Sequence, residues 1–500
     1  MNLAEIIDAH PAASSALIDD GGRVTTYGEL RRAVASMRGR LHQIGVGPDH
    51  RVALLSHNDP AFVVAYLAVL GLGAVAVPLN PASPPPELIR ELGQVDVKAV
   101  VVGPGGAEQA DTVAEESRPV VSALDWADVE GEASAPPVVA REPGDLGALM
   151  FTAGTAGAPR AAMLTHGNLL ANLHQVQRHP GQAISSDDVV LGVLPLYHIL
   201  GLNTILDGAL LAGASVVLVA RFDAPAAIEL ITRHRVTILV GSPSMFAALT
   251  AVPGQAGGGT DGRERLGTVR LAVAGAAPLS AEVAESWARA FGGPLRQGYG
   301  LTEASPVVTM PRLDDGSRPT SIGVPVPGVE VQLVDEVGDE SLVGDPGEIW
   351  VRGPNVFGGY WSDEQATRSA LTEDGWLKTG DIAIVSDGGD LHIVDRAKDL
   401  IIVSGFNVYP VEVEAVLAEH PAVREVAVVG AVHPTTGETV EAFVVAEPGH
   451  EPTPEELIAW CGGRLARYKC PTIVTFVPEL PHGLVGKLLR RRLRAERAEK

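Results

Sequence analysis

Residues 51–79, RVALLSHNDPAFVVAYLAVLGLGAVAVPL, decide the fold of this chain. Residues 51–55 form a short run rich in Val and Leu, which is typical of a buried strand. Asn58-Asp59-Pro60 supplies a turn and a helix start, so the apolar run after it predicts a buried helix. A glycine turn at 71–73 ends that helix, and residues 74–78 predict a second buried strand. A strand, a helix and a strand in this order are the repeating unit of a parallel sheet covered by helices.

The same stretch raises the question of a membrane span. Residues 61–79 carry no charge and are long enough to cross a bilayer. Gly71 and Gly73 interrupt the run, however, and a buried helix followed by a buried strand explains it better. A second apolar stretch, 199–220, contains Asp207 and Gly213 and receives the same interpretation, so we expect no transmembrane segment.

Similar apolar runs alternate with helical patterns through most of the chain. They are at residues 97–102, 189–194, 215–220, 236–240 and 269–274. Continuous apolar strands separated by helices indicate parallel sheets that are covered on both faces. The sequence therefore predicts an α/β fold with a large, multi-layer N-terminal domain in which helices sandwich parallel sheets.

The pattern changes near residue 398. After it the sequence predicts a helix at 410–419, strands at 423–429 and 441–446, and another helix at 454–465. About 100 residues is a normal size for an independent unit. We therefore predict an N-terminal domain over 1–397 and a small α+β domain over 398–500.

Composition narrows the class of function. The 500 residues are 46% hydrophobic and 20% charged, with a net charge of 38 − 61 = −23, which excludes a disordered chain and argues against nucleic acid as the main partner. Two cysteines, Cys461 and Cys470, cannot form a disulfide framework, and the start lacks the basic segment of a signal peptide. We expect a cytoplasmic protein, and the sequence leaves a homodimer open.

Residues 151–166, FTAGTAGAPRAAMLTH, are the first candidate for ligand chemistry. Glycines and hydroxyls between a strand and a helix let backbone N–H groups surround phosphate oxygens, and Arg160 adds positive charge. The spacing is not that of a Walker loop, because no Gly-Lys-Ser/Thr follows. A flexible turn is the alternative.

Residues 297–303, QGYGLTE, are the second candidate. Tyr299 between two glycines suits stacking on a purine, while Thr302 and Glu303 can supply a phosphate donor and a carboxylate for Mg²⁺. The alternative is a turn at the end of a strand with a buried tyrosine.

Two further motifs lie nearer the C-terminus. Asp381, in GWLKTGD, is either a turn residue or an acceptor for both ribose hydroxyls. Arg396, farther along the chain, either belongs to the same site or forms a surface ion pair. Lys487, in PHGLVGK, stands on a glycine turn before an Arg-rich helix. The Arg-rich helix simply faces solvent, or Lys487 before it is a mobile cation that can enter a cleft.

Taken together and in this order, these motifs resemble those of the ANL superfamily of adenylate-forming enzymes. The resemblance runs from about residue 25 to 490 and includes PLYHI at 195–199, AGAAP at 274–278, VSGFNVYP at 403–410 and RYKCP at 467–471. The GFNVYP form, with His198 in its motif, is most similar to fatty-acyl-CoA synthetases and 4-coumarate-CoA ligases. Such enzymes join a carboxylic acid to ATP·Mg²⁺ as an acyl-adenylate, after which the C-terminal domain rotates and a thiol, usually of CoA, accepts the acyl group.

The resemblance also implies residue roles. Lys487 would bridge the carboxylate and the α-phosphate, Thr302 would contact the α-phosphate, and Glu303 would bind Mg²⁺, so that Lys487, Thr302, Glu303 and His198 are the expected catalytic residues. The β- and γ-phosphates would be held by Thr152, Gly154, Thr155, Gly157 and Arg160. Adenine would lie against Tyr299, with Ala277, Gln297 and Gly300 nearby, the ribose would contact Asp381 and Arg396, and Lys398 falls at the hinge.

For the acid and the thiol, the implied residues are mostly small or uncharged. The acyl pocket would be gated by His198 and lined by Leu200, Asn203, Gly275, Gly300, Pro306 and Val307. The tunnel for CoA would be lined by Ser404, Gly405, Phe406 and Asn407. A medium- or long-chain fatty acid, or another hydrophobic acid, is therefore the expected substrate.

The phosphate loop departs from the family pattern. The family usually has Ser, Thr, Lys and Gly where this chain has Ala153, Ala156, Arg160 and Ala161. Two hydroxyl donors are therefore absent. Arg160 keeps the positive charge of the usual Lys but presents it with a different geometry. We expect a higher KM for ATP rather than an inactive enzyme.

Two other functions remain open from the sequence. An acyl-AMP ligase would deliver the acyl group to the phosphopantetheine of an acyl carrier protein instead of CoA. A catalytically silent nucleotide-binding protein would explain the altered phosphate loop, although Lys487, Glu303 and Asp381 are all present.

Overall fold

The computed structural model describes residues 1–106, 120–122, 135–152, 159–180, 183–252, 266–277, 279, 281–312, 321–335, 338–345, 347–386, 388–396, 401–408, 410–481 and 493. The α-helices in chain order are α1 (Tyr27–Gln43), α2 (Pro60–Gly71), α3 (Pro85–Val95), α4 (His166–Arg178), α5 (Gly208–Ala212), α6 (Ala224–His234), α7 (Pro243–Ala251), α8 (Ala281–Phe291), α9 (Glu364–Ala370), α10 (Pro410–Ala418) and α11 (Pro454–Gly462).

The strands in chain order are β1 (Ser15–Ile18), β2 (Val24–Thr26), β3 (Arg51–Leu55), β4 (Val75–Leu79), β5 (Ala99–Val102), β6 (Val120–Ser122), β7 (Leu146–Thr152), β8 (Arg160–Thr165), β9 (Val189–Gly192), β10 (Ser215–Leu218), β11 (Ile238–Gly241), β12 (Leu271–Ala274), β13 (Arg296–Gln297), β14 (Tyr299–Gly300), β15 (Val307–Met310), β16 (Val324–Pro325), β17 (Glu330–Val334), β18 (Gly347–Arg352), β19 (Leu377–Val385), β20 (Leu391–Arg396), β21 (Ile401–Val403), β22 (Phe406–Val408), β23 (Val423–His433), β24 (Gly437–Ala446) and β25 (Ile473–Phe476).

The β3–α2–β4 unit predicted from residues 51–79 is confirmed. Asp59 caps α2 by accepting a hydrogen bond from the Ala61 N–H, and Pro60 occupies the first helical turn. All twelve residues of α2 are buried, and β3 and β4 pair in parallel. A helix that is apolar on every side is stable here because it lies inside the protein.

The second apolar stretch also folds inside the protein. It forms a π-helix, Leu200–Asp207, followed by α5 and β10. Asp207 is buried and accepts a hydrogen bond from the Tyr66 hydroxyl at 2.9 Å, and burial raises the pKa of its carboxyl well above the usual range. In the part of the chain that the structure describes, no helix has the length and apolarity needed to cross a membrane.

Two parallel sheets form the centre of the larger unit. One has the order β13-β12-β11-β9-β10-β1-β2 and the other the order β6-β5-β3-β4-β7-β8. Their strands pair in parallel except for β1 with β2 and β7 with β8, which are antiparallel. Helices pack against both sheets, as in the apolar cluster that α3 forms with the second sheet through Leu88, Leu92 and Val95. This arrangement confirms the predicted α/β class.

Residues 299–396 add two antiparallel sheets that the sequence pattern does not predict. They have the orders β14-β15-β16 and β17-β18-β19-β20. The described part after residue 400 forms a separate five-stranded sheet, β22-β21-β24-β23 with β25 beside β24, and has its own apolar clusters. The predicted boundary at 397/398 falls in the segment 397–400 that links β20 to β21, which lies outside the described residues.

Candidate active site

One cavity of about 260 Å³ lies where the seven-stranded sheet, the two antiparallel sheets and the first hairpin of the C-terminal sheet meet. It gathers residues from motifs that are far apart in the chain. The predicted site residues on its wall are Thr152, Arg160, His198, Leu200, Gly275, Ala277, Gln297, Tyr299, Gly300, Thr302, Glu303, Pro306, Val307, Asp381 and Gly405.

Tyr299 and Asp381 form the first polar group of the cavity. The Tyr299 hydroxyl donates a hydrogen bond to Asp381 Oδ2 at 2.8 Å. Asp381 lies within β19 rather than in a turn, and it pairs in register with Arg396 on β20. Only the backbone of Arg396 is described. Gln297 supports this region by accepting the Leu279 N–H at 3.1 Å and donating to the Ala277 carbonyl.

Glu303 forms a second polar group with Tyr360 and Arg160. Thr302 and Glu303 begin a short 3₁₀ turn, Thr302–Ala304. The Tyr360 hydroxyl donates to Glu303 Oε1 at 2.7 Å, and the Arg160 guanidinium lies 5.7 Å from the Tyr360 ring centre. Asp363 holds Arg160 through a 3.1 Å ion pair. A carboxylate and a cation therefore face the same part of the cavity.

Glu303 is a carboxylate on the cavity wall that could hold a metal ion. Within the described residues, His, Cys, Asp and Glu side chains form no group of three or more that could hold a metal. Mg²⁺ is commonly bound by one or two carboxylates together with substrate phosphates and water, so a single carboxylate beside a phosphate donor suits that mode. Such a site would need the nucleotide to complete it.

The segment predicted as a phosphate loop is flanked by different secondary structure than the sequence suggests. It was expected between a strand and a helix, but Thr152 and Arg160 face each other at the end of the antiparallel pair β7 and β8. The helix α4 begins only at His166. The prediction was wrong because residues 160–165 pair with β7 as a strand before that helix starts. Gly154, Thr155 and Gly157, with Ala153 and Ala156, lie outside the described residues.

The opposite end of the cavity is aliphatic. Ile238 and Val240 on β11 line it, as do Leu271 and Val273 on β12, whereas Leu239 between the first pair packs into the helix layer behind the sheet. This follows the alternation of side chains along a strand. From Leu271 to Gly275 the wall extends over four residue-to-residue steps, about 13 Å at the usual rise per residue in a strand. Val176, Ile184 and Val190 are further aliphatic residues of the cavity wall.

His198 also lies on the cavity wall. Its Nδ1 accepts the Leu200 N–H at 3.3 Å, and its enclosed position lowers the pKa of the imidazole to about 4. The ring is therefore neutral at pH 7. Position 300 requires glycine, because a Cβ there would lie 2.1 Å from the Pro306 carbonyl oxygen.

Asn203 is a predicted pocket residue that is not on the cavity wall. It is fully buried, and its side-chain amide donates to the Ser305 carbonyl at 2.6 Å and to the Leu169 carbonyl at 3.2 Å. It holds in place the backbone that precedes Pro306. Its effect on the cavity is therefore indirect.

The loop between β21 and β22 brings the C-terminal sheet to the cavity. Gly405 has φ +85° and lines the wall; a Cβ at this position would be 3.2 Å from the Ser242 Cβ and 3.5 Å from the Ala276 Cβ. The Phe406 ring lies 6.3 Å from the His198 ring in an edge-on arrangement. Ser404 precedes them with φ +51°. Of Asn407 only the backbone is described, and Lys398 and Lys487 lie outside the described residues.

Sequence reasoning missed several residues of this site. Tyr360 and Asp363 follow two glycines in a stretch without a recognisable motif, so no signal marks them. The aliphatic wall could have been found, because alternate residues of a strand share a face once the sheet order is known.

Comparison with known proteins identifies the class. A family model described as AMP-binding enzyme matches residues 3–361, and one described as AMP-binding enzyme C-terminal domain matches residues 412–487. The chain therefore belongs to the AMP-binding enzyme family, which confirms the resemblance to the ANL superfamily and to its acyl-CoA synthetases.

Individual relatives cover nearly the whole chain. A feruloyl-CoA synthase from Amycolatopsis sp is 37% identical over 95% of this chain and 94% of the relative. A long-chain-fatty-acid–CoA ligase from Escherichia coli O157:H7 is 35% identical over 95% of this chain and 90% of the relative. The structure of the amide bond synthetase McbA from Marinactinospora thermotolerans superimposes with a TM-score of 0.89 at 31% identity, covering 99% of both chains.

Proposed function

We propose that this enzyme activates a hydrophobic carboxylic acid with ATP and Mg²⁺ to an acyl-adenylate, and then transfers the acyl group to CoA. The observation that carries the proposal is that a single cavity joins a polar end, with Tyr299, Asp381, Glu303 and Arg160, to an aliphatic end. A site that only bound a nucleotide would not need the aliphatic end.

The polar end suits ATP in its separate parts. The Tyr299 face suits a purine, and Asp381, which accepts the Tyr299 hydroxyl through Oδ2, is a carboxylate with two oxygens that can accept ribose hydroxyls. Thr302 and Arg160 are donors for phosphate oxygens, and the Arg160 guanidinium is oriented by Asp363. Mg²⁺ bound to Glu303 would neutralise phosphate charge during the reaction.

The first half-reaction requires more positive charge than these residues supply. The carboxylate and the α-phosphate repel each other, so their approach is favoured by a cation placed between them. We assign that role to Lys487. The second half-reaction requires a thiol beside the acyl carbonyl, and the Ser404–Asn407 loop is the element that would line its path, since Gly405 is at the cavity.

The experiment is a panel of carboxylic acids assayed for AMP release with ATP, Mg²⁺ and CoA. Straight-chain fatty acids and hydroxycinnamic acids are expected to give turnover. Small acids that carry a second charged group are not. Parallel reactions with an acyl carrier protein or an amine in place of CoA identify the acceptor. Absence of AMP release with every acid and acceptor would refute the proposal.

The depth of the aliphatic end leads to a prediction on chain length. Ile238→Trp adds bulk at the start of β11 and should block that end for long acids. We expect kcat/KM for a long straight-chain acid to fall by about 10–200-fold, the usual range when a hydrophobic pocket no longer fits its ligand. A short straight-chain acid in the same variant is the control and should be nearly unaffected. Equal loss with both acids would show that the acyl chain does not reach this wall.

A further inference from the structure

Glu87 connects the N-terminal unit to the C-terminal sheet by both of its carboxylate oxygens. Its Oε1 accepts a hydrogen bond from Lys469 Nζ at 2.7 Å, and its Oε2 accepts the Ala466 N–H at 2.9 Å. Glu87 is in the first turn of α3, which is anchored on the six-stranded sheet, whereas both donors lie after α11. The contact therefore ties two independently packed units together.

The ion pair is enclosed. The side chains of Glu87 and Lys469 are only 3% and 6% exposed. While the two units stay in this orientation, removing one member of the pair leaves the other as an uncompensated buried charge, which is costly. The pair can form only in the domain orientation in which both residues meet, so it is a specific contact of that orientation.

A short path leads from this pair to the cavity. Tyr468, the neighbour of Lys469, stacks on the Phe406 ring with the ring centres 4.4 Å apart. Phe406 in turn lies edge-on to His198, and Gly405 beside it lines the cavity. The position of the Ser404–Asn407 loop is thus linked to the position of Lys469.

The other carboxyl groups around Lys469 come from both units. Glu412 on α10 accepts a second hydrogen bond from Lys469 Nζ at 2.9 Å, and this contact lies within the C-terminal unit. Glu91, one helical turn after Glu87, is buried, and its burial raises the pKa of the carboxyl to about 8, with further contributions from Glu87 and Glu412. Lys469 and Arg90 oppose that rise. Of these carboxyl groups, Glu87 is the one whose hydrogen bond with Lys469 crosses the interface between the two units.

We propose that the Glu87–Lys469 ion pair is an interdomain latch that selects the orientation for acyl transfer, and that Glu87 is a positioning residue for that half-reaction. The inference rests on the proposed function, in which Lys487 must reach the cavity during adenylation. The latch must then open, because Lys487 and the Ser404–Asn407 loop belong to the same C-terminal unit and serve different steps.

The test compares Glu87→Gln with a matched control, Glu412→Gln. Both substitutions remove one buried carboxylate from Lys469, but only the first breaks the contact between the two units. Transfer of the acyl group from supplied acyl-adenylate to CoA should fall at least about tenfold in Glu87→Gln, as expected for a misplaced reacting group, while ATP–pyrophosphate exchange stays at the wild-type rate or rises. Glu412→Gln should keep transfer within about threefold of wild type. If Glu87→Gln does not fold, the same test uses Glu87→Asp, whose shorter side chain moves the carboxylate away from Lys469.

Equal loss of transfer in both variants, or equal loss of both half-reactions in Glu87→Gln, would overturn the proposal. A measurement without substrates separates this outcome from failure of the proposed function. Spin labels at Ile44→Cys and Val432→Cys, two exposed positions on the two units, report the distance between them. Glu87→Gln should add a second distance population that wild type and Glu412→Gln lack, and an unchanged distribution would refute the latch even if no acid is ever activated.

Discussion

Lys487→Ala is expected to lower acyl-adenylate formation by at least about 10²–10³-fold, the usual effect of removing one donor that stabilises charge in a transition state. At the polar end of the cavity, Arg160 is held by Asp363 and Glu303 accepts the Tyr360 hydroxyl, and we assign the neutralisation of the two reacting anions to Lys487. Two anions must still be brought together. Acid-dependent ATP–pyrophosphate exchange measures this step, and transfer from supplied acyl-adenylate to CoA measures the next.

Only the first step should suffer in this variant. Transfer from supplied acyl-adenylate is expected within a few-fold of wild type, because the thiol attacks after pyrophosphate has left. Lys500→Ala, which removes another cation from the C-terminal tail, is the control and should change neither step. Equal loss of both steps in Lys487→Ala would contradict the assignment of this lysine to adenylation alone.

Lys398→Pro is expected to give the converse result, with adenylation retained and acyl transfer lowered by about 10²-fold, because the reacting groups would no longer be brought into position. Residue 398 lies in the segment that links β20, the last strand of the larger unit, to β21 of the C-terminal sheet. Rotation between the two units requires backbone torsions in this segment to change, and proline fixes φ.

Lys398→Ala separates the backbone effect from the loss of charge. It removes the same ammonium group but leaves φ free, so both half-reactions should stay near the wild-type rates. The two half-reactions are measured as for Lys487→Ala. If the alanine variant loses transfer as fully as the proline variant, the side chain matters and the hinge interpretation fails.

The sequence was most informative where structure is local. Asp59 and Pro60 mark the start of α2, and the apolar runs beside it become β3 and β4. The motifs at 297–303 and 375–381, which contain Tyr299, Glu303 and Asp381, also meet in one cavity, as the family resemblance implies.

Features that depend on distant pairing could not be predicted in this way. The run at 160–165 reads as the approach to a helix, and only its partner β7 makes it a strand. Asn203 is small and polar enough for a pocket wall, yet its amide is used by the Ser305 and Leu169 carbonyls. Glu87 is 382 residues from Lys469, so neither residue indicates the ion pair by itself.

The most direct test of the central claim is ATP–pyrophosphate exchange by the wild-type enzyme, with and without a hydrophobic carboxylic acid. If one cavity joins ATP to such an acid, exchange should appear only when the acid is added and should vanish in Lys487→Ala. Exchange that is absent with every hydrophobic acid, or that runs equally well without one, would contradict the proposal that acid and nucleotide react in this cavity.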